Sequence, residues 1–370
     1  LGIPAGGIAY SAERNRIVFH SPKPGAESNN PNSHIIKSYA MKAHRLRQLS
    51  APALFAAICT LATAVLPVAA QTYPSQVIRI VVPSAAGTPP DIISRLVANQ
   101  LQDSEGWRVV VENKIGAMQT LGAAEVLKQP ADGYSIVAIA LSSTVARALL
   151  PNVGFRLDAD FVPVIKLATA HHVLVVNPDV AAKSLPELVA LLKSRPDKLT
   201  FSSGGFGTPA HLAGELFKLQ TGIRATHVPY PALPRAIGDL VSGINQYQFI
   251  TPLPVVDLIA TGKLRALAVT APQRMAALQD VPTVVEAGFP DLIIQDWIGF
   301  IAKRGTPDDV VIRLNAAVNK ALAEPRVRDA FSKLSAETAG GSSAEFGAHI
   351  VSQMAYWAKV VKDSGMKMYQ

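Results

Sequence analysis

From Tyr73 onward, two hydrophobic rhythms alternate along the chain. "VIRIVVP" (77–83) is a nearly continuous apolar run, as expected of a strand buried on both faces. "PDIISRLVANQLQ" follows with apolar residues at helical spacing, then strand-like "RVVVEN", helical "LGAAEVLKQ", strand-like "YSIVAIAL" and helical "TVARALL". The stretch "FVPVIKLATAHHVLVVNP" (161–178) is too long for one ordinary strand and predicts two, one closing a first lobe and one crossing into a second. The alternation then restarts: helix "LPELVALLKS", strand "KLTFSS", helix 209–220, strand "ATHVPY", helix "RAIGDLVSG", strands "QYQFI" and "LRALAVT". "LIIQDWIGFIA" (292–302) reads as the return crossing, and the remainder as helices packing back on the first lobe. The fold class is therefore α/β, with two lobes of helix-covered parallel sheet around a cleft, joined by two crossings. The expected division is 71–170 plus 295–370 for the first lobe and 171–294 for the second.

The first 70 residues do not share this pattern. "MKAHRLRQLS" from Met41 is basic, "APALFAAICTLATAVLPVAA" is apolar and uncharged, and Val68-Ala69-Ala70 has small residues where a signal peptidase reads. That order predicts a secretory signal over 41–70 with cleavage near Gln71 and an exported mature chain; the alternative is a retained membrane anchor, since 20 apolar residues could span a bilayer. Residues 1–40 contain no Met and no pattern, and are expected to lie outside the true gene product. Composition changes once the leader is set aside. The whole chain carries 35 Lys and Arg against 27 Asp and Glu; without residues 1–70 the counts are 28 and 25. These charges are dispersed, so no nucleic-acid partner is expected. The single cysteine, Cys59, lies in the leader, which leaves the mature chain without a disulfide or a cysteine metal site.

Chemistry is concentrated where predicted strands run into helices. In "FSSGGFGTPAHLAGELFKLQ" (201–220) a glycine-rich turn precedes Thr208-Pro209, a good N-cap followed by proline at the first helical position. In "VVPSAAGTPPDII" Gly87 precedes Thr88-Pro89-Pro90-Asp91, which fits a T-x-x-D capping box. Ser142, Ser143 and Thr144 stand between a third strand and helix. Helix starts at the carboxyl ends of strands are where open α/β sheets bind ligands, and their N–H groups and dipoles suit an anion. Gly205 to Ala210 fits G-x-G-x-x-A, but no acid ends the following strand to hold a ribose, and no P-loop is present. Nor is there a G-x-S-x-G elbow or an H-E-x-x-H pair, so no enzyme, metal site or cofactor is expected. His211, in the first turn of its helix, reads either as a ligand donor or as a capping or packing residue. Arg147 and Arg235 lie near helix starts and read either as cleft residues or as solvated surface.

Several segments, in order, resemble one family: "YPSQVIRIVVP", "VVVENKIGA", "ADGYSIV", "HLAGELF", "HVPY", "TGKLRALAVT", "DVPTVVEAGFP" and "LNAAVNKAL". They resemble the Bug family, the extracytoplasmic solute-binding receptors of tripartite tricarboxylate transporters, over about 73–367. The resemblance implies a periplasmic two-lobe flytrap (a periplasmic-binding-protein fold, type II-like), not an enzyme, that binds a small carboxylate and passes it to membrane permease subunits. A monomer is expected, and a ligand-sensing adaptor or, less in keeping with the motifs, a periplasmic α/β enzyme are the alternative roles. Carried onto this chain, the first ligand loop holds Ser84, Ala85, Gly87, Thr88 and Asp91, and the second holds Ser203, Gly205, Phe206, Gly207 and Thr208, with His211 just beyond. Ser142, Ser143 and Arg147, then Tyr230 and Arg235 after "HVP", and Ile250, complete the expected lining. The chain departs from the family in four places: Gly87-Thr88 replaces a double glycine, Phe206 an Asn, Pro231-Ala232 a Lys-Gly, and Ile250 an Asp. The Phe206 and Ile250 changes make the pocket less polar and remove a partner for an ammonium group. An unpaired buried ammonium is costly, so the expected ligand is a carboxylate without an amino group, aromatic or otherwise partly apolar.

Overall fold

A computed structural model describes residues 73–150 and 152–367; the leader, Cys59 and the proposed cleavage point lie outside the described residues. Eleven strands among these residues form two sheets. The first sheet contains β1 (Ile78–Val82), β2 (Val109–Asn113), β3 (Ser135–Ala140), β4 (Phe161–His171), β10 (Gln295–Lys303) and β11 (Ala336–Gly340), in the order β11-β4-β10-β3-β1-β2. β1 pairs in parallel with β2 and β3, whereas β10 runs antiparallel between β3 and β4. The second sheet contains β5 (Val173–Val176), β6 (Thr200–Ser203), β7 (Thr226–Pro229), β8 (Tyr247–Ile250) and β9 (Arg265–Val269), in the order β7-β6-β8-β5-β9.

Helices cover both sheets. In chain order they are α1 (Pro89–Glu105), α2 (Thr120–Leu127), α3 (Leu141–Leu149), the single turn α4 (Leu157–Asp160), α5 (Leu185–Ser194), α6 (Pro209–Thr221), α7 (Leu233–Val241), α8 (Val256–Ala260), α9 (Asp308–Ala323), α10 (Pro325–Lys333) and α11 (Ser343–Ser364). The long 161–178 stretch divides as its length predicts, because β4 ends at His171 and β5 begins at Val173. β11 was not expected. "AETAG" is neither β-branched nor aromatic enough to read as a strand, and only pairing to β4 makes it one.

Both crossings between the sheets are tied at one buried residue, Thr270. Its N–H donates to the His172 carbonyl at 2.8 Å, and its hydroxyl accepts from the His172 N–H and donates to the Ile294 carbonyl, each at 2.9 Å. The C-terminal helix α11 packs not only on α3 and β4 of the first lobe, as expected, but also on α6 of the second. Trp357, Val360 and Val361 of α11 therefore share one apolar cluster with Phe201, Leu212 and Phe217. Shared burial of this kind resists separation of the lobes by roughly 25 cal/mol per Å² of apolar surface.

Candidate functional site

The loops ending β1 and β6 have the same hydrogen-bond wiring in different sequence. In the first, the Thr88 hydroxyl donates to the Ala85 carbonyl at 2.6 Å, Ile92 N–H donates to Thr88 O at 2.9 Å, and Gly87 N–H donates to the Asp91 carboxylate at 2.9 Å. In the second, the Thr208 hydroxyl donates to the Gly205 carbonyl at 2.7 Å, Leu212 N–H to Thr208 O at 3.0 Å, and Gly207 N–H to His211 Nδ1 at 3.1 Å. Gly87 and Gly207 hold the same left-handed backbone, with φ of 78° and 70°, which glycine alone adopts without steric cost.

This wiring corrects the expected caps. Thr88 and Thr208 occupy the N-cap positions, but neither side chain caps its helix, because each hydroxyl turns back into its own loop. The T-x-x-D box is likewise not made, since Asp91 reaches the N–H of Gly87 rather than that of Thr88, which donates to the Ala85 carbonyl. Helix-start N–H groups are thus left to other acceptors. Before the first intrahelical bonds, α1 offers only that of Asp91, because Pro89 and Pro90 have none; α6 offers those of Ala210 and His211.

The braces beneath the two loops differ in charge. Asp91 is buried and accepts from Gly87, Arg95 Nε (2.9 Å) and Asn113 Nδ2 (2.9 Å), while Asn113 also donates to the Ser84 carbonyl at 2.9 Å. Burial alone would raise its pKa; the bonds from Arg95, Gly87 and Asn113 outweigh burial and hold the carboxyl below its usual range. His211 is equally buried but neutral. Burial, then the charges of His227 and Lys218, push its pKa down to about 3. Burial and Lys218 push His227 to about 4. The two imidazoles lie 4.2 Å apart, and His227 Nε2 meets the Ser203 hydroxyl at 2.7 Å, which places a second neutral ring behind the loop. Phe206 sets its ring edge-on to both, at 5.4 and 5.2 Å. A cavity of about 560 Å³ lies beside this cluster, bounded by Lys218, Thr226 and residues 364–367.

The remaining expected residues are dispersed. Ser142, Ser143 and Thr144 lie in the first turn of α3 rather than in a linking loop. Ser143 donates its hydroxyl to Gln119 Oε1, and Thr144 donates to the Leu141 carbonyl at 2.6 Å. Arg147 donates to the Phe155 carbonyl at 3.3 Å, and Arg235 pairs with Asp239 at 3.0 Å on the exposed side of α7. Tyr230 donates its hydroxyl to Asp239 at 2.8 Å. Ile250 ends β8 inside an apolar cluster with Leu240 and Val255.

One segment escaped sequence reasoning. Ala117, Met118 and Gln119, between β2 and α2, have φ of 44°, 52° and 73°. Successive left-handed residues with side chains cost roughly 1–2 kcal/mol each. Gln119 Oε1 accepts from the Ala140 N–H at 3.2 Å, and a Cβ placed on Gly207 would lie 2.0 Å from Met118 Cε. Met118 thus touches the second lobe's loop from the first. Only Gly116 in "NKIGAMQT" hinted at this turn, because left-handed backbone leaves no signature in non-glycine residues. His227 and Asn113, which brace the two loops, were missed for a different reason: a brace lies apart in sequence from what it supports.

Among the described residues, no group of three or more His, Cys, Asp or Glu could hold a metal ion, and no helix is long and apolar enough to cross a membrane. Residues 93–366 match the model of the tripartite tricarboxylate transporter family receptor. The chain is 34% identical to protein BugT of Bordetella pertussis over 304 residues, 82% of this chain and 93% of that protein. Its fold matches an R. palustris protein solved with adipate (TM-score 0.71, 31% identity, 80% of this chain and 99% of that one). It also matches MatC from Rhodopseudomonas palustris with bound malate (TM-score 0.69, 30% identity, 78% and 100%).

Proposed function

The chain belongs to the tripartite tricarboxylate transporter receptor family, and on that premise we propose that it captures a small carboxylate lacking an amino group, in the periplasm after leader cleavage, for delivery to membrane permease subunits. The observation that carries this reading is the pair of helix starts whose threonine hydroxyls turn away, which leaves helix N–H groups for a ligand. The carboxylate is received mainly at the start of α6, where two N–H groups stand over a neutral histidine brace. Hydrogen bonds to a carboxylate are charge-assisted and stronger than neutral ones. The first lobe then closes from above, and the closed state is populated as far as the ligand prefers it. Adipate and malate in the two R. palustris proteins are acids without amino groups, which supports the substrate class. Phe206 supplies apolar surface beside the second loop, and neither it nor the buried Ile250 offers a counter-ion for an ammonium.

The test is native mass spectrometry of the protein purified from its producing cells without dialysis. One equivalent of an amino-free carboxylic acid is the expected finding. Copurified aspartate or glutamate would contradict the amino-free reading, and a bound neutral compound would contradict the carboxylate itself.

A further inference from the structure

Within that receptor reading, we infer that Met118 and Gln119, the side chains of the left-handed turn, set which carboxylate this chain accepts. Backbone of this hand is natural to glycine, yet here it carries two long side chains, of which Met118 meets the loop at Gly207 and Gln119 bonds to the start of α3. Unfavourable backbone is retained where the surrounding structure enforces it, most often at binding sites. Gln119 is oriented unambiguously. The Ala140 N–H can only donate, so the atom facing it is the carbonyl oxygen, which also takes the Ser143 hydroxyl. Its Nε2 group makes no hydrogen bond among the described residues, and Gln119 is only half-buried, so two donors remain for a ligand oxygen on the first-lobe side. Ser143, held by Gln119, acts as its positioning residue. Met118 does the complementary work. Its thioether reaches Gly207 in the second lobe's loop, where an added Cβ would lie 2.0 Å from the Met118 methyl and displace it. An unbranched, polarisable side chain adapts to irregular apolar surface. Met118 therefore closes the cleft beside the carboxylate and presents apolar surface to the rest of the ligand. Donors from Gln119 and a flexible apolar wall from Met118 together favour an acid with a substantial hydrocarbon part over a short, hydroxylated one.

The test titrates wild type, Met118→Gly and Gln119→Gly with adipate, malate and benzoate by calorimetry, alongside thermal unfolding without ligand. Glycine relieves the left-handed backbone, which offsets the lost Met118 packing and Gln119 hydrogen bonds, so both variants should stay folded with Tm close to that of wild type. Met118→Gly should lose at least fivefold in affinity for adipate or benzoate relative to malate, and Gln119→Gly at least fivefold for every acid that wild type binds. Affinities and ranking unchanged within twofold would overturn the inference and leave the receptor reading intact. Failure of wild type to bind any carboxylate would overturn the receptor reading instead. The cross-lobe contact has its own readout, independent of ligand. Gly207→Ala should lower Tm in wild type and by less in the Met118→Gly background, where only the cost of its left-handed backbone remains. Equal losses in the two backgrounds would contradict the contact.

Discussion

The two ligand loops are wired alike and charged differently. Each has a glycine at positive φ, a Thr-Pro pair whose hydroxyl turns inward, and a side chain four residues after the glycine that accepts the glycine N–H. Under the first loop that side chain is a carboxylate tied to Arg95 and Asn113; under the second it is a neutral imidazole backed by another. The loop conformation therefore does not dictate what it binds. In the proposed reading the brace does, because the carboxylate nearest the first cradle opposes an anion above it, with Arg95 offsetting part of that charge, whereas a neutral ring does not. On that reading the second lobe receives the anion and the first closes over it.

The largest expected consequence is acid lability of the second loop. His211 and His227 have folded pKa values of about 3 and about 4, below the ordinary 6.5 that they regain on unfolding. The unfolded chain binds more protons between these values, so their contribution is fully present above pH 6.5 and is lost as pH falls toward 4 and then 3. Thermal unfolding between pH 7 and pH 4 should show this slope, to which His172 and His349, also lowered to about 4, add, and His211→Asn, which does not titrate, should make it shallower. An identical slope in the variant would remove His211 from the account.

Next in size is Asp91→Ala, which strands the Gly87 N–H and the Arg95 and Asn113 side chains around a buried gap. It should cost about 3 kcal/mol in chemical denaturation. A loss under about 1 kcal/mol would mean that the network does not hold the first loop.

His211→Asp transplants the first loop's brace beneath the second. The Gly87–Asp91 bond shows that a carboxylate can reach this glycine N–H. The loop should keep its shape and lose about tenfold in carboxylate affinity, or about 1.4 kcal/mol. Unchanged affinity would break the comparison between the lobes. Smallest is Gly87→Ala, where the new methyl group meets nothing within 4 Å. It should cost about 1 kcal/mol, from the left-handed backbone alone.

What was legible in the sequence follows from how each feature is encoded. Strands and helices show as apolar periodicity, so β1, α5 and the β4–β5 division were predicted closely, whereas "AETAG" depends on its neighbour and was not. The loops announced themselves through Gly and Thr-Pro. Their wiring did not, because a threonine before a helix can cap it or turn inward, and only three-dimensional crowding chooses. Arg147 and Arg235 illustrate the converse. Both lie near helix starts in sequence, yet one binds a loop carbonyl and the other an acid on its own helix.

The most direct test of the central claim, that an anion is received over a neutral brace in the second lobe, is calorimetric titration of an acid against its own amide: adipate against adipamide, and benzoate against benzamide. Shape is nearly conserved within each pair, and charge is not. The account predicts that the acid binds at least tenfold tighter, and that His211→Asp removes most of this difference. Equal affinity for acid and amide, in wild type and variant alike, would contradict it.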